Sequence, residues 1–199
     1  MFAKELEKWP RERVEALMAA ARPDDVEGAL NREERSLSDL AALLSPCAVP
    51  YLERMAAEAQ QLTRRQFGRT IALYAPIYIS NICAADCAYC NFAARSGGHE
   101  TRRTLTEDEI ERECQCLRRQ GFDNVLLVSG EAPKIVTIDY LARAVEIAHD
   151  HFSSVSAEIY SMETADYGRL KEAGLEGVTL YMETYDAQQY AKVHPSGAK

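Results

Sequence analysis

The sequence predicts an α/β fold built on a parallel sheet and preceded by a helical extension. Three observations carry this. Residues 1–70 show helical spacing only, residues 71–199 alternate short apolar runs with amphipathic stretches, and glycines stop two of those stretches. Strand–helix alternation of this kind gives parallel strands joined by right-handed crossovers. An open doubly wound sheet and a (β/α)8 TIM-type barrel share the pattern, and both expect strands buried on their two faces.

In chain order, Phe2, Leu6 and Trp9, then Val14 and Leu17, form a loose helical stripe that Pro10 interrupts. Ser38 is placed to cap a short helix over Asp39–Leu44, closed by Ser45-Pro46. A longer helix starts near Pro50, which suits a first helical position. Leu52, Met55, Ala59 and Leu62 mark its apolar face and Gly68 its end. Ile71–Ile79 reads as the first strand and runs into a cysteine-rich loop. Thr106 and Glu109 form a capping box opening a helix to Gln120, with Gly121 as its stop. The run Asn124–Val128 is the second strand, leading into a Ser129-Gly130-Glu131 turn. A helix over Ile138–His151 presents Leu141, Val145 and Ala148 on one face. Val155–Tyr160 is the third strand, Glu163–Ala173 its helix with Gly174 as stop, and Gly177–Met182 the fourth strand.

Composition narrows the function classes. Of 199 residues 47% are hydrophobic and 27% charged, as in ordinary globular proteins, and the net charge is −8. An acidic chain with no basic stripe longer than Arg102-Arg103 is not expected to bind nucleic acid or an anionic membrane. No apolar run approaches the roughly 18 residues of a membrane span. The first residues mix Lys4, Glu5, Glu7 and Lys8, unlike a secretory signal. The expected location is cytoplasmic, where thiols stay reduced and clustered cysteines read as metal-binding or catalytic.

Three of the six cysteines, Cys83, Cys87 and Cys90, crowd into one loop as C-x3-C-x2-C. Three soft thiolates at this spacing can each take a different iron of one [4Fe–4S] cubane, leaving the fourth iron open for substrate chemistry. The alternative is a zinc site completed by His99, Cys114 or Cys116, although zinc usually gathers two C-x2-C knuckles and no second one is present. The loop follows the first strand, and α/β folds collect their active sites at strand C-terminal ends.

With Tyr89 at the aromatic position, Cys83-x3-Cys87-x-Tyr89-Cys90 resembles the signature of the radical S-adenosylmethionine superfamily. Within it the chain is similar to the 2-iminoacetate synthase family of tyrosine lyases. The stretches that carry this are Tyr74–Cys83, Leu127–Glu131, Tyr181–Tyr185, Tyr190–His194, Leu43–Pro46 and Leu62–Gly68. Asn91 and Met182 depart from that family's usual glycine and glutamine. The resemblance implies an α/β fold, a partial (β/α) TIM-type barrel of about four β/α units over 71–199, with a helical extension over 1–70. The roughly 130 residues after position 70 are about half of what a complete barrel uses. The chain 1–199 by itself is therefore expected to be poorly soluble or without turnover.

The resemblance also implies chemistry. A [4Fe–4S] cluster on Cys83, Cys87 and Cys90 would bind S-adenosylmethionine, and an electron from an external donor would release a 5′-deoxyadenosyl radical. That radical would cleave the Cα–Cβ bond of L-tyrosine to dehydroglycine and p-cresol, with dehydroglycine passed to a thiazole synthase partner. Tyr89 would pack beside adenine, and Gly130 and Glu131 would hold the methionyl ammonium. Glu183 would face ribose or substrate at the fourth strand's end, near Tyr185. No side chain is singled out as a catalytic acid, base or nucleophile, because the cofactor carries the chemistry.

Simpler readings stand beside these. Glu131 also reads as an exposed turn residue, and Glu183 as a carboxylate favoured at a helix start. Glu158 points either into or out of the sheet. Cys47, Cys114 and Cys116 read as free thiols, His149 and His151 as helix-end residues, and His99 with Arg102-Arg103 as a solvated charge run. The rival functions are the tyrosine lyase that matures [FeFe]-hydrogenase and a non-catalytic iron–sulfur or zinc module.

Overall fold

In the computed structural model, which describes residues 2–95 and 101–197, the chain divides into two units, Met1–Ile71 and Ala72–Lys199. The first holds α1 (Phe2–Leu6), α2 (Arg11–Ala20), α3 (Pro23–Asn31), α4 (Leu37–Leu43), a 3-10 turn over Pro46–Tyr51, and α5 (Leu52–Phe67). Pro10 separates α1 from α2, as its fixed φ and missing N–H require. The cap of α4 is Ser36 rather than Ser38. Its hydroxyl accepts from the Asp39 amide at 3.2 Å, and the Asp39 carboxylate accepts from the Ser36 amide at 2.8 Å. Ser38 lies inside the helix, two positions too late for that reciprocal pair. Pro50 is also not a helix start: it sits within the 3-10 turn, and α5 begins two residues later. Gly68 ends α5 at φ +67°, a conformation that favours glycine. Val26, Leu30 and Ala48 form the buried centre of this unit.

The second unit runs β1 (Tyr74–Ser80), α6 (Glu107–Arg119), β2 (Asn124–Ser129), α7 (Ile138–His149), β3 (Ser154–Glu158), α8 (Thr164–Glu172), β4 (Gly177–Thr179) and α9 (Ala187–Val193). Its four strands are parallel and lie in sequence order. The Thr106–Glu109 capping box opens α6 as predicted. Two expectations are corrected. The first strand begins at Tyr74 rather than Ile71, because pairing starts at the register Tyr74↔Asn124. The fourth is three residues long, because pairing with β3 ends at Glu158↔Thr179. The short α9 was not expected, although Asp186 announces it by accepting from the amides of Gln188 and Gln189.

The helices cover one face of the sheet. Ile77, Ile79, Val125, Leu127, Val155 and Ala157 pack with Ile110 and Cys114 of α6, Leu141, Val145 and Ala148 of α7, and Leu170 of α8. The Tyr140 hydroxyl on α7 donates to the carbonyls of Ile79 (3.1 Å) and Leu105 (2.9 Å), tying α7 to the end of β1. The opposite face is not buried as expected for both faces. β1 alternates exposed and buried, so Tyr74, Pro76 and Tyr78 open onto a cleft.

Candidate functional site

The cleft measures about 1080 Å³ and lies over the sheet's uncovered face and the strands' C-terminal ends. Strand alternation decides what it shows. Tyr74, Pro76, Tyr78, Leu126, Val128, Glu158 and Thr179 share the parity opposite to the core residues and line it. Glu158 therefore points inward. At the strand ends the same cleft is lined by Cys83, Cys87, Tyr89, Cys90, Gly130 and Glu131. The structure thus gathers all three predicted thiols with three of the four predicted cofactor contacts.

The cysteine loop is held by backbone contacts to the end of β2. The Gly130 amide donates to the Ser80 carbonyl at 3.0 Å and the Ala84 amide to the Glu131 carbonyl at 2.7 Å. A Cβ on Gly130 would fall 2.4 Å from the Ile82 carbonyl oxygen and 2.9 Å from Cys83 Cβ. Only glycine permits that approach. Within the loop, Cys90 N donates to the Cys87 carbonyl at 3.1 Å, closing a turn between two of the thiols. Asn91 takes an ordinary negative φ, so its departure from glycine imposes no left-handed strain.

Several features of this site suit an iron–sulfur cluster and a polar cofactor. Cys83 Sγ accepts from the Glu131 amide and Cys90 Sγ from the Phe92 amide, each at 3.4 Å. Amides aimed at sulfur stabilise thiolate ligands and tune cluster potential. Among the described residues no three His, Cys, Asp or Glu side chains stand close enough to hold one metal ion. The sulfurs share a cleft without converging on a point, and a cubane asks for one thiolate per iron. The Ser129 hydroxyl, at the cleft beside Gly130, is buried without a hydrogen-bond partner. A buried orphan of this kind is relieved by a polar ligand group.

Two residues near the loop escaped the sequence reading. Arg102 is not simply part of a solvated run. Its guanidinium donates to the carbonyls of Asn81 (2.8 Å), Phe92 (3.1 Å) and Ala93 (2.8 Å), pinning both ends of the loop. His194, 9% exposed, lies 2.6 Å through Nε2 from the Tyr89 hydroxyl. No local motif marks that pair, which is more than a hundred residues apart in sequence. Glu183 does not line the cleft but approaches His194 Nε2 at 3.5 Å. Tyr89 is 54% exposed overall, with its hydroxyl against His194 and Glu183. Local burial, then hydrogen bonding with Glu183, raises the phenol's pKa well above its ordinary value and keeps it protonated.

The remaining candidates stand apart from the cleft. Cys114 is buried in the core, where loss of solvent pushes its thiol up to about 12 and leaves it unreactive. Cys47 donates to the Ala21 carbonyl in the first unit. His151 pairs with Glu111, and the His149 ring lies against Gly174. Thr104 and Ser80 hydroxyls meet at 2.9 Å beside the loop. His99 lies outside the described residues. Among the described residues no helix is long and apolar enough to cross a membrane.

Comparison with known proteins points to the same loop. The model of the Radical SAM superfamily matches residues 77–198. The chain is 45% identical over 175 residues to a 2-iminoacetate synthase of Salmonella typhimurium, covering 88% of this chain and 46% of that protein. It is 43% identical, with the same coverage, to the 2-iminoacetate synthase of Escherichia coli. Among solved structures it is similar to HydG, a maturase of the [FeFe]-hydrogenase. The TM-score is 0.84 at 26% identity, over 95% of this chain and 44% of that one. The chain spans less than half the length of the curated relatives it matches, and its α/β unit is a partial TIM-type barrel.

Proposed function

We propose, from the premise that this chain belongs to the radical SAM superfamily, that Cys83, Cys87 and Cys90 hold a [4Fe–4S] cluster that binds S-adenosylmethionine. When bound, the cluster supplies the electron that cleaves the sulfonium, and the cofactor supplies the radical that abstracts hydrogen. The observation that carries this reading is the meeting of three thiols with the Gly130–Glu131 turn in one cleft.

This chain's residues have defined tasks in that reading. The three thiolates bind three irons and leave the fourth free. Glu131 offers a carboxylate to the methionyl ammonium, a charge-assisted contact. Tyr89, which lines the cleft, would pack beside adenine, and Gly130 lets the turn approach Cys83. Tyr78, in edge contact with Phe92 at 5.8 Å, gives the cleft an aromatic wall suited to an aromatic substrate. The likeness to 2-iminoacetate synthases supports L-tyrosine as that substrate, cleaved at Cα–Cβ to dehydroglycine and p-cresol. Thiazole synthase would receive the dehydroglycine, and a reduced electron carrier in the cytoplasm would supply the electron.

Anaerobic reconstitution tests the first step. The expected result is about four irons per chain and a reduced-cluster EPR signal that changes when S-adenosylmethionine is added. One colourless zinc per chain, or an EPR signal indifferent to the cofactor, would overturn it. The likeness to HydG supports one other product set, and incubation of the full-length protein with L-tyrosine separates the two: dehydroglycine with p-cresol for this reading, cyanide for the maturase.

A further inference from the structure

We propose that Val193–Gly197, the last residue of α9 and the segment after it, is a strap that sets the cysteine loop, and that His194 is the positioning residue through which it fixes Tyr89. The proposal rests on the reading that this loop carries the cluster and the cofactor.

The strap meets the loop on both sides of Cys87. The Asp86 amide donates to the Ser196 carbonyl and the Ala88 amide to the Val193 carbonyl, each at 2.9 Å. Gly197, at φ +116°, lies so close that a Cβ there would come within 2.5 Å of Ala85 Cα. Side chains repeat the connection. Arg95 donates to the Asp86 carboxylate at 3.1 Å and to the Ser196 hydroxyl at 2.9 Å. The strap and loop are thus laced together over Ala85–Arg95.

His194 is oriented before it meets Tyr89. Its ring stacks on Tyr190 at 4.1 Å between centroids, and its Nδ1 lies 3.0 Å from the Tyr190 carbonyl. A carbonyl can only accept, so Nδ1 carries the hydrogen, while Nε2 faces both the Tyr89 hydroxyl at 2.6 Å and the Glu183 carboxylate at 3.5 Å. The two rings stand edge to face, 5.5 Å apart at 86°. Tyr89 is thereby held at its hydroxyl by His194 and at its backbone by the loop. The backbone contacts between strap and loop involve no thiol.

The test compares Tyr89→Phe, His194→Ala, His194→Gln and the Tyr89→Phe/His194→Ala double variant. After anaerobic reconstitution, the readouts are iron per chain and the S-adenosylmethionine concentration giving half of the EPR change. Tyr89→Phe and His194→Ala are each expected to raise that concentration about three- to tenfold, the worth of one hydrogen bond. The double variant should lose no more than the worse single one, since both remove the same contact. His194→Gln, whose amide oxygen can accept from the phenol, should stay within about twofold of the parent chain. Full affinity in His194→Ala, or losses that multiply in the double variant, would overturn the proposal.

A second arm needs no cluster. Melting of the unloaded chain should give shifts for the two single variants that do not add in the double one, and additive shifts would also overturn the strap. Tyr89→Phe keeps the ring and removes only the hydroxyl, so it still decides the contact if His194→Ala folds poorly. A parent chain whose EPR signal ignores S-adenosylmethionine would sink the functional reading, while the unloaded melts still decide the fate of the strap.

Discussion

The two faces of the sheet are made by the same strands from alternating residues, and they differ in almost everything else. The helix-covered face is aliphatic: Ile77, Ile79, Val125, Leu127, Val155 and Ala157 are all buried. The cleft face carries exposed Tyr74, Pro76 and Tyr78 with half-buried Leu126, Val128, Glu158 and Thr179, a mixture of aromatic, aliphatic and polar groups. Burial of the first set supplies the hydrophobic free energy of the unit at about 25 cal/mol per Å². The second set is released from that duty and can be chosen for ligand chemistry. A period of two thus lets one strand serve stability and binding at once.

The sharpest way to break this contrast is on the buried face. Leu127→Ala should cost about 2–5 kcal/mol in urea unfolding, the usual range for a fully enclosed leucine. A cost under about 1 kcal/mol would show that the helices do not close on that face. Gly130→Ala probes the rim where the faces meet. The added methyl has no room beside the Ile82 carbonyl, so a loss of about 1–3 kcal/mol is expected, together with poor iron loading. Normal loading would mean the loop tolerates displacement from β2. The smallest effect belongs to the cleft face: Glu158→Gln should change unfolding by no more than about 0.5 kcal/mol. A large loss there would mean that the open face also holds the fold together.

What the sequence made legible was local. The Thr106–Glu109 box, the stops at Gly121 and Gly174, and the apolar run Asn124–Val128 are signals read within one or two turns of chain. The cysteine spacing belongs to the same class. Ser36 was legible and was passed over: Ser36-x-x-Asp39 has the spacing of the reciprocal pair, whereas Ser38 has Ala41 at that distance. The end of β4 was overlooked because apolar residues continue to Met182 after pairing with β3 has stopped. Arg102, Ser129 and His194 were out of reach for a different reason. Their roles depend on which distant carbonyl, cleft wall or phenol the fold brings beside them, and no spacing within a short window encodes that.

The approach of Gly130 to Ile82 and of Gly197 to Ala85 has a consequence for redesign. The contour of the thiol-bearing loop is written in peptide groups and bare α-carbons, with the ligating atoms hanging from it as attachments. Exchanging those attachments for imidazoles or carboxylates gives up the two amide–sulfur contacts at Cys83 and Cys90 but leaves the peptide-to-peptide supports in place. The fold is in this sense an interchangeable mount, whose fittings can be swapped while the bracket stays bolted in place.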